Sequence, residues 1–369
     1  MPTVFTCESG WEAALAEELR RAWIEPGRES GADASAAGRV VVNVEPGGNA
    51  AAEPIVAFAS QVLPDAVPCA AASISQWADA ACEQISARLD QLSLPWRLHV
   101  FATPFTDGST GLGRTKLVRD ALIAKLREVR RRLLRRMNED IEGAWLPDEA
   151  LVQVLLTSPG EGFISIADAE PRHAWRHVIS PFVGGLIEPA VDKLAPSRAF
   201  AKLVEAELRL GRRIQPGETC VDLGSSPGSW AYTALNRGAF VTAIDRSPLR
   251  DDLMANARLT FLKTDAFEYF PAEPVDWLLS DIIAFPDRIC ELLARWLGER
   301  RCRAFCVTVK FRGRDDDAEL ERVKDVLRGS GYRFGLRRLT ANKNEACAYG
   351  EVMSGADSLA TRHSSLPTS

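Results

Sequence analysis

Val221-Asp222-Leu223-Gly224-Ser225-Ser226-Pro227-Gly228-Ser229-Trp230 reads as the end of a short buried strand, a tight turn and the opening of a helix. An α/β sheet keeps its ligand crevice at such a turn, outside the carboxyl ends of its strands. A dinucleotide fingerprint fits badly, because Ser226 and Ser229 fall on two of the three glycine places of GxGxxG and leave a pyrophosphate without a cradle. Instead an acid, Asp222, stands two residues before the first glycine.

Working outward, Val241-Thr242-Ala243-Ile244-Asp245 ends a second strand in a carboxylate suited to bridging two ribose hydroxyls. Asp265, in Lys-Thr-Asp-Ala-Phe, stands where a third strand would end. Any one of these pieces alone is an ordinary turn or a strand cap. In this order, each at a carboxyl end, they form the pattern of class I S-adenosylmethionine (SAM) methyltransferases. The expected cofactor contacts are Asp222, Gly224, Ser226, Pro227, Gly228, Ser229, Trp230, Asp245, Asp265 and Asp281.

Ser280-Asp281-Ile282-Ile283 ends the fourth strand, beside the methyl donor in such a fold. Methylation of a base amine usually places Asn-Pro-Pro-Tyr or Asp-Pro-Pro-Tyr here, and C5 methylation of cytosine needs a cysteine nucleophile; neither is present. The candidate partners of Asp281 are Lys310, closing the strand Ala304–Lys310, Lys202, ahead of the first strand, and Glu345. A ribose hydroxyl is a poor nucleophile, so its proton must leave as the methyl arrives. A neutral lysine can take it. Burial lowers a lysine's proton affinity and a carboxylate raises it, so the balance within the cluster decides which lysine is the base. We take Lys310 as the base, Lys202 and Asp281 as orienting the hydroxyl, and Glu345 as fixing a lysine.

The fold class expected is α/β, with a Rossmann-like, doubly wound parallel sheet after about residue 199. Its strands are Thr219–Leu223, Phe240–Ile244, Trp277–Ser280 and Ala304–Lys310, with helices at Asp287–Leu297 and Asp317–Gly329. Residues 171–198, with four prolines and Gly184-Gly185, read as a connector, and residues 354–369 as a flexible tail. Ahead of the connector the chain reads as α+β. A strand at Val4–Cys7, a helix at Trp11–Ala22 and a strand at Arg39–Val44 lead to the Gly47–Ala52 loop. Strands follow at Arg97–Ala102, Leu151–Leu156 and Gly162–Ala167. The periodicity predicts one continuous helix over Thr115–Met137, with Val118, Leu122, Leu126, Val129, Leu133 and Met137 as its apolar stripe.

A chain of 369 residues is long for a single core, and 46% apolar with 26% charged residues excludes global disorder. The net charge of −5 argues against a uniformly basic protein. That average conceals ten basic residues against two acids between Arg114 and Arg136, a local +8 that leaves −13 elsewhere. Such a face repels itself and seeks an anion. Arg119, Arg127, Arg130, Arg131 and Arg135 are the candidate contacts to RNA phosphates. The eight cysteines lack zinc spacing, and His99, His173 and His177 lack a matching ligand set, so no metal is expected. Neither a secretory leader nor an apolar run of about 18 residues is seen, which leads us to expect a cytoplasmic protein without a membrane partner.

Pro-Ser-Arg-Ala-Phe-Ala-Lys202-Leu, Val-Asp-Leu-Gly-Ser-Ser-Pro-Gly-Ser-Trp230, Val-Thr-Ala-Ile-Asp245, Lys-Thr-Asp265-Ala-Phe, Ser-Asp281 and the Lys310 strand resemble, in order, the RlmM family, the FtsJ-related bacterial 23S rRNA 2′-O-ribose cytidine methyltransferases. The resemblance covers about residues 171–350. It implies a Lys-Asp-Lys-Glu tetrad on Lys202, Asp281, Lys310 and Glu345, and 23S rRNA or its precursor as substrate; separately, a monomer is expected. It also implies a ferredoxin-like subdomain over residues 1–52 and a THUMP RNA-binding domain over 53–170, ahead of a methyltransferase domain over 199–353. Over residues 1–170 only Cys-Glu-Ser-Gly-Trp-Glu and the general layout match. The family's Pro-Gly-Gly-Trp is here Pro-Gly-Ser229-Trp, and its Tyr-His pair before the glutamate is Thr340-Ala341. The extra Cβ of Ser229 either crowds the methionine moiety or tightens the turn. Readings of other kinds are a non-catalytic RNA-binding protein with a degenerate methyltransferase fold, an RNA 2′-O-methyltransferase of another substrate, and a small-molecule O-methyltransferase. The last would not need 170 residues ahead of its catalytic domain.

Overall fold

A computed structural model describes residues 2–23, 32–36, 38–42, 55–90, 93–105, 109–139, 148–167, 178–311 and 317–353. The Gly47–Ala52 loop, the first part of the connector with His173 and His177, and the expected tail lie outside the described residues. The chain forms two compact units, Met1–Leu186 and Ile187–Ser369.

In the first unit, β1 (Thr3–Thr6), α1 (Glu12–Trp23), β2 (Ala32–Ala36), β3 (Arg39–Val42) and β4 (Gln61–Leu63) come first. Their antiparallel sheet has the order β2-β3-β1-β4. Leu15, Ala16 and Leu19 of α1 are buried. Glu18 is buried too, and it is satisfied by the backbone N–H groups of Ala57 and Phe58 at 2.8 and 3.0 Å. Next come β5 (Val67–Ala70), α2 (Ile74–Leu89), β6 (Trp96–Ala102), α3 (Leu112–Val129), α4 (Arg131–Leu134), β7 (Met137–Asn138), β8 (Ala150–Leu156) and β9 (Glu161–Ala167). They build a second sheet, β5-β9-β8-β6-β7. One face of it packs on α2 and α3 through Trp77, Ile85, Leu122 and Leu126, and its other face meets the first sheet through Phe101 and Leu155 against Val4 and Leu63.

The long helix expected over Thr115–Met137 is corrected. It stops at Val129, because Arg130 leaves helical geometry at φ −142°, ψ 49°. The chain must turn there for Met137 to lie in β7 beside Trp96. Val118, Leu122, Leu126, Leu133 and Met137 are buried as the stripe requires, but Val129 is 41% exposed. The sequence reading also passes over α2, although Ser73 caps it by accepting from the Gln76 N–H, and the Gln76 side chain accepts in turn from the Ala72 N–H.

The second unit runs α5 (Phe200–Leu210), β10 (Thr219–Leu223), α6 (Ser229–Asn236), β11 (Phe240–Asp245), α7 (Asp251–Met254), β12 (Leu259–Lys263), β13 (Val275–Ser280), α8 (Pro286–Gly298), β14 (Cys302–Lys310), α9 (Asp317–Gly329), β15 (Tyr332–Arg337) and β16 (Glu345–Val352). Its sheet has the order β12-β11-β10-β13-β14-β16-β15. The five strands from β12 to β14 are parallel, as expected of a doubly wound sheet. The sheet is mixed rather than all parallel, because β16 returns antiparallel between β14 and β15. The order reverses between β10 and β13, which puts the crevice of such a sheet at their carboxyl ends. Among the described residues no helix is long and apolar enough to cross a membrane.

Candidate active site

Register brings the predicted residues together. Leu223 pairs with Ser280, so the turn that follows β10 and Asp281 that follows β13 leave the sheet side by side. Lys310, closing β14, pairs with Glu345, opening β16. At these ends lies a cleft of about 500 Å³, within the range of small-molecule sites.

The turn after β10 is held by its own acids. Asp222 is buried and accepts the Ser225 hydroxyl at 2.5 Å and the Ala231 N–H at 3.0 Å. Burial pushes its carboxyl up to about 7, against the pull of those two donors. Gly224 sits at φ +70°, and a Cβ there would lie 2.9 Å from Cβ of Ile282. Gly228, at φ +108°, allows α6 to start where a Cβ would strike Leu253 at 2.4 Å. The Ser226–Pro227 peptide is cis. Asp245 receives the Ser226 N–H at 3.0 Å and the Ser247 N–H at 2.8 Å, one on each oxygen. Asp265 accepts from the Phe267 N–H at 2.9 Å and pairs with Arg246, and these donors hold its carboxyl below its usual range.

Of the expected cofactor contacts, all but Gly228 line the cleft; Gly228 caps α6 behind it. Trp230, 2% exposed, also belongs to the core, with its indole N–H on the Ala199 carbonyl at 2.8 Å. Ser229 does not fill the cleft. Its hydroxyl bonds that of Ser197 at 2.7 Å and so ties the segment before α5 to the start of α6. A glycine-lined turn, three carboxylates at successive strand ends and an open space of this volume fit the adenosine and amino-acid parts of SAM. The residues suited to holding it are Asp245, Asp265 and the Gly224 turn.

At the inner end of the cleft four side chains from α5, β13's end, β14 and β16 meet. Lys202 Nζ lies 2.9 and 3.0 Å from the two Asp281 oxygens and 2.6 Å from Glu345. Lys310 Nζ lies 3.3 Å from each carboxylate. Burial lowers the proton affinity of Lys202, but Asp281 and Glu345 together outweigh it and hold Lys202 above its ordinary value. Burial likewise pushes the Glu345 carboxyl up, and Lys202 and Lys310 more than reverse that, so it stays below its usual range. Lys202 is only 7% exposed at its side chain, Lys310 24%, and of the two only Lys310 lines the cleft.

Sequence reasoning missed the residues that brace Glu345. Asn342 donates to Glu345 at 3.2 Å while accepting the Leu339 N–H at 2.6 Å. Glu205, one turn beyond Lys202 on α5, accepts the Thr340 N–H at 2.7 Å and pairs with Arg209 at 2.6 Å. The one available signal was an acid at i+3 from Lys202, with Arg209 a further turn on, among the buried residues of α5.

In the first unit, Arg127, Arg130, Arg131 and Arg135 are exposed and Arg119 is half-buried. They are not all uncompensated. Arg130 lies 3.7 Å from Asp90, and Lys125 lies 2.8 Å from Asp79. His99 is fully buried with both ring nitrogens lacking a hydrogen-bond partner, and burial lowers it to about 3, so it packs as a neutral ring. Among the described residues no group of three or more His, Cys, Asp or Glu side chains is arranged to hold a metal.

Residues 195–293 match the FtsJ-like methyltransferase family. Curated relatives of the chain include "Ribosomal RNA large subunit methyltransferase M" of Pseudomonas fluorescens, 34% identical over 56% of this chain and 60% of that one. The protein of the same name from Thauera aminoaromatica is 36% identical over 42% of this chain and 46% of its own. In both, the match spans less than two thirds of the relative. A solved Burkholderia thailandensis 1,6-didemethyltoxoflavin-N1-methyltransferase with S-adenosylhomocysteine superposes at TM-score 0.32 and 18% identity, over 42% of this chain and 80% of that one. The FtsJ-like match reaches from the segment before Lys202 into α8 and takes in the turn after β10 and Asp281, while Lys310 and Glu345 lie beyond it.

Proposed function

We propose that the protein is a SAM-dependent 2′-O-ribose methyltransferase acting on a cytidine of 23S rRNA, with Lys310 as general base. The observation that carries this is the convergence of Lys202, Asp281, Lys310 and Glu345 from four separate elements at the inner end of the cleft. SAM, when bound, supplies an electrophilic methyl on a sulfonium. Lys310 Nζ takes the proton of the 2′-hydroxyl as the oxygen is methylated, and the Asp281 and Glu345 carboxylates stabilise the ammonium that forms. Lys202, held charged between the same carboxylates, is unsuited to be the base and instead fixes their positions. The names of the curated relatives support the substrate, and the open cleft beside Ser229 argues against a degenerate, non-catalytic fold. We further propose that residues 1–52 and 53–170 are a ferredoxin-like subdomain and a THUMP domain, and that Arg119, Arg127, Arg130, Arg131 and Arg135 contact RNA phosphates.

Tritiated methyl transfer from SAM to total rRNA lacking the modification, followed by nuclease digestion, tests the reading. Label on a ribose of 23S rRNA is expected. Label on a base would remove the lysine mechanism.

A further inference from the structure

Past Asp281 the wall of the cleft changes character. Ile282-Ile283-Ala284-Phe285 runs without a polar side chain until α8 opens at Pro286. Ile282 is seated on Gly224, whose missing Cβ gives it room, and this pins the segment to the cofactor turn. Its neighbour Ile283 lines the cleft and is 88% exposed, and Phe285 is 55% exposed two residues on. A single exposed apolar side chain is ordinary. An isoleucine left in water two residues from Asp281, in the wall of the cleft that Lys310 also lines, contributes nothing to the core and is placed to meet whatever Lys310 deprotonates.

The guanidinium groups of the same cleft narrow that guest. Arg246, paired with Asp265, and Arg288, stacked 3.7 Å over the Phe267 ring, both line it. An apolar ledge beside cations suits a group with flat apolar faces and an anionic backbone, which is a nucleotide. We propose that Ile283, with Phe285 beside it, is the platform on which the nucleobase of the target nucleotide is laid, so that its ribose presents the 2′-hydroxyl to Lys310. This rests on the methyltransferase reading above. A ledge of aliphatic and aromatic carbon meets the face of a base and makes no hydrogen bond to its edge. It therefore sets how firmly the nucleotide is held and leaves base identity to other groups.

The test is Ile283→Ser in the full chain, compared with wild type and with Ile283→Met, using unmodified rRNA and, separately, S-adenosylhomocysteine binding by calorimetry. Expected is a fall in kcat/KM for rRNA of about 10-fold or more, the fold-change that loss of a buried aliphatic side chain against the face of a base brings. Affinity for S-adenosylhomocysteine and melting temperature should be unchanged, and Ile283→Met should restore most of the activity. Wild-type kcat/KM in Ile283→Ser would overturn the platform while leaving the methyltransferase reading intact. A matching loss of S-adenosylhomocysteine affinity would assign Ile283 to the donor's side and overturn it too. A wild-type enzyme that places no methyl on ribose would overturn the reading and the platform together.

Discussion

Around Asp281, two lysines and two carboxylates form a largely buried cluster whose ion pairs are no longer than 3.3 Å, whereas along residues 114–136 ten cations share a surface with two acids. Both regions are rich in charge, and burial separates them. Ions taken out of water must be matched almost one for one, since an unmatched buried charge costs several kcal/mol. An exposed cation can wait, solvated, for a partner from outside. Balance is therefore what the proposed proton-handling site requires, and imbalance what a surface proposed to meet a polyanion can carry. The contrast is softened slightly by Asp79 of α2 and Asp90 at its end, which already engage Lys125 and Arg130.

The most direct way to break the comparison is Lys310→Ala. Loss of a general base is expected to lower kcat by about 10²- to 10⁴-fold with SAM affinity retained, read by methyl transfer and calorimetry. Near-wild-type turnover would leave the balanced cluster without a chemical role. Next comes Asn342→Asp, which adds an acid beside Glu345 without touching either lysine. It should move the pH–rate profile to higher pH and depress kcat at neutral pH by about 10-fold, one pKa unit's worth of proton retention on the cluster. A profile that does not move would confine Asn342 to shaping the loop.

The exposed region is sharpened by reversing Arg127, Arg131 and Arg135 to glutamate together. RNA affinity should drop, and its salt dependence should flatten by about 0.7 to 0.9 in log–log slope for each phosphate no longer neutralised, measured by filter binding across a salt series. An unaltered slope would remove this surface from the interface. The smallest effect concerns Asp222. Its folded value near 7 lies above the ordinary 3.8, so the folded state holds the extra proton in that window and stability falls as pH rises through it. Asp222→Asn should abolish that decline, seen as melting temperatures that no longer diverge between about pH 4 and pH 7.

Local pattern makes much of the second unit legible. The parallel strands read as short apolar runs, and β10 to β13 each carry an acid within two residues of their carboxyl ends, so Asp222, Asp245, Asp265 and Asp281 stand where their spacing predicts. The helix Asp317–Gly329 has the limits that its periodicity predicts. What sequence does not supply is pairing across distance. Lys310 and Glu345 face each other because β16 runs antiparallel to β14, and no local pattern announces that strand's direction. Nor does periodicity report a break such as Arg130, where the apolar spacing continues on the far side through Leu133 and Met137. The α2 helix escapes a periodicity search because small or polar residues, Ala78, Ala81, Cys82 and Ser86, are interleaved with Trp77, Ile85 and Leu89 on its buried face, which dilutes the signal.

The brace between Glu205 and Thr340 bears on the order in which the protein can come alive. Every wall of the cleft is contributed by residues between Ser197 and Lys310, but Glu345 lies on β16, which follows α9 and β15 in the chain. During synthesis a shaped cleft can therefore precede a competent one. Lys202 and Lys310 face a single carboxylate until β16 is drawn in beside β14. The clamp from α5 to the loop before β16 ties that strand to the helix carrying Lys202, so the proposed chemistry requires the finished sheet.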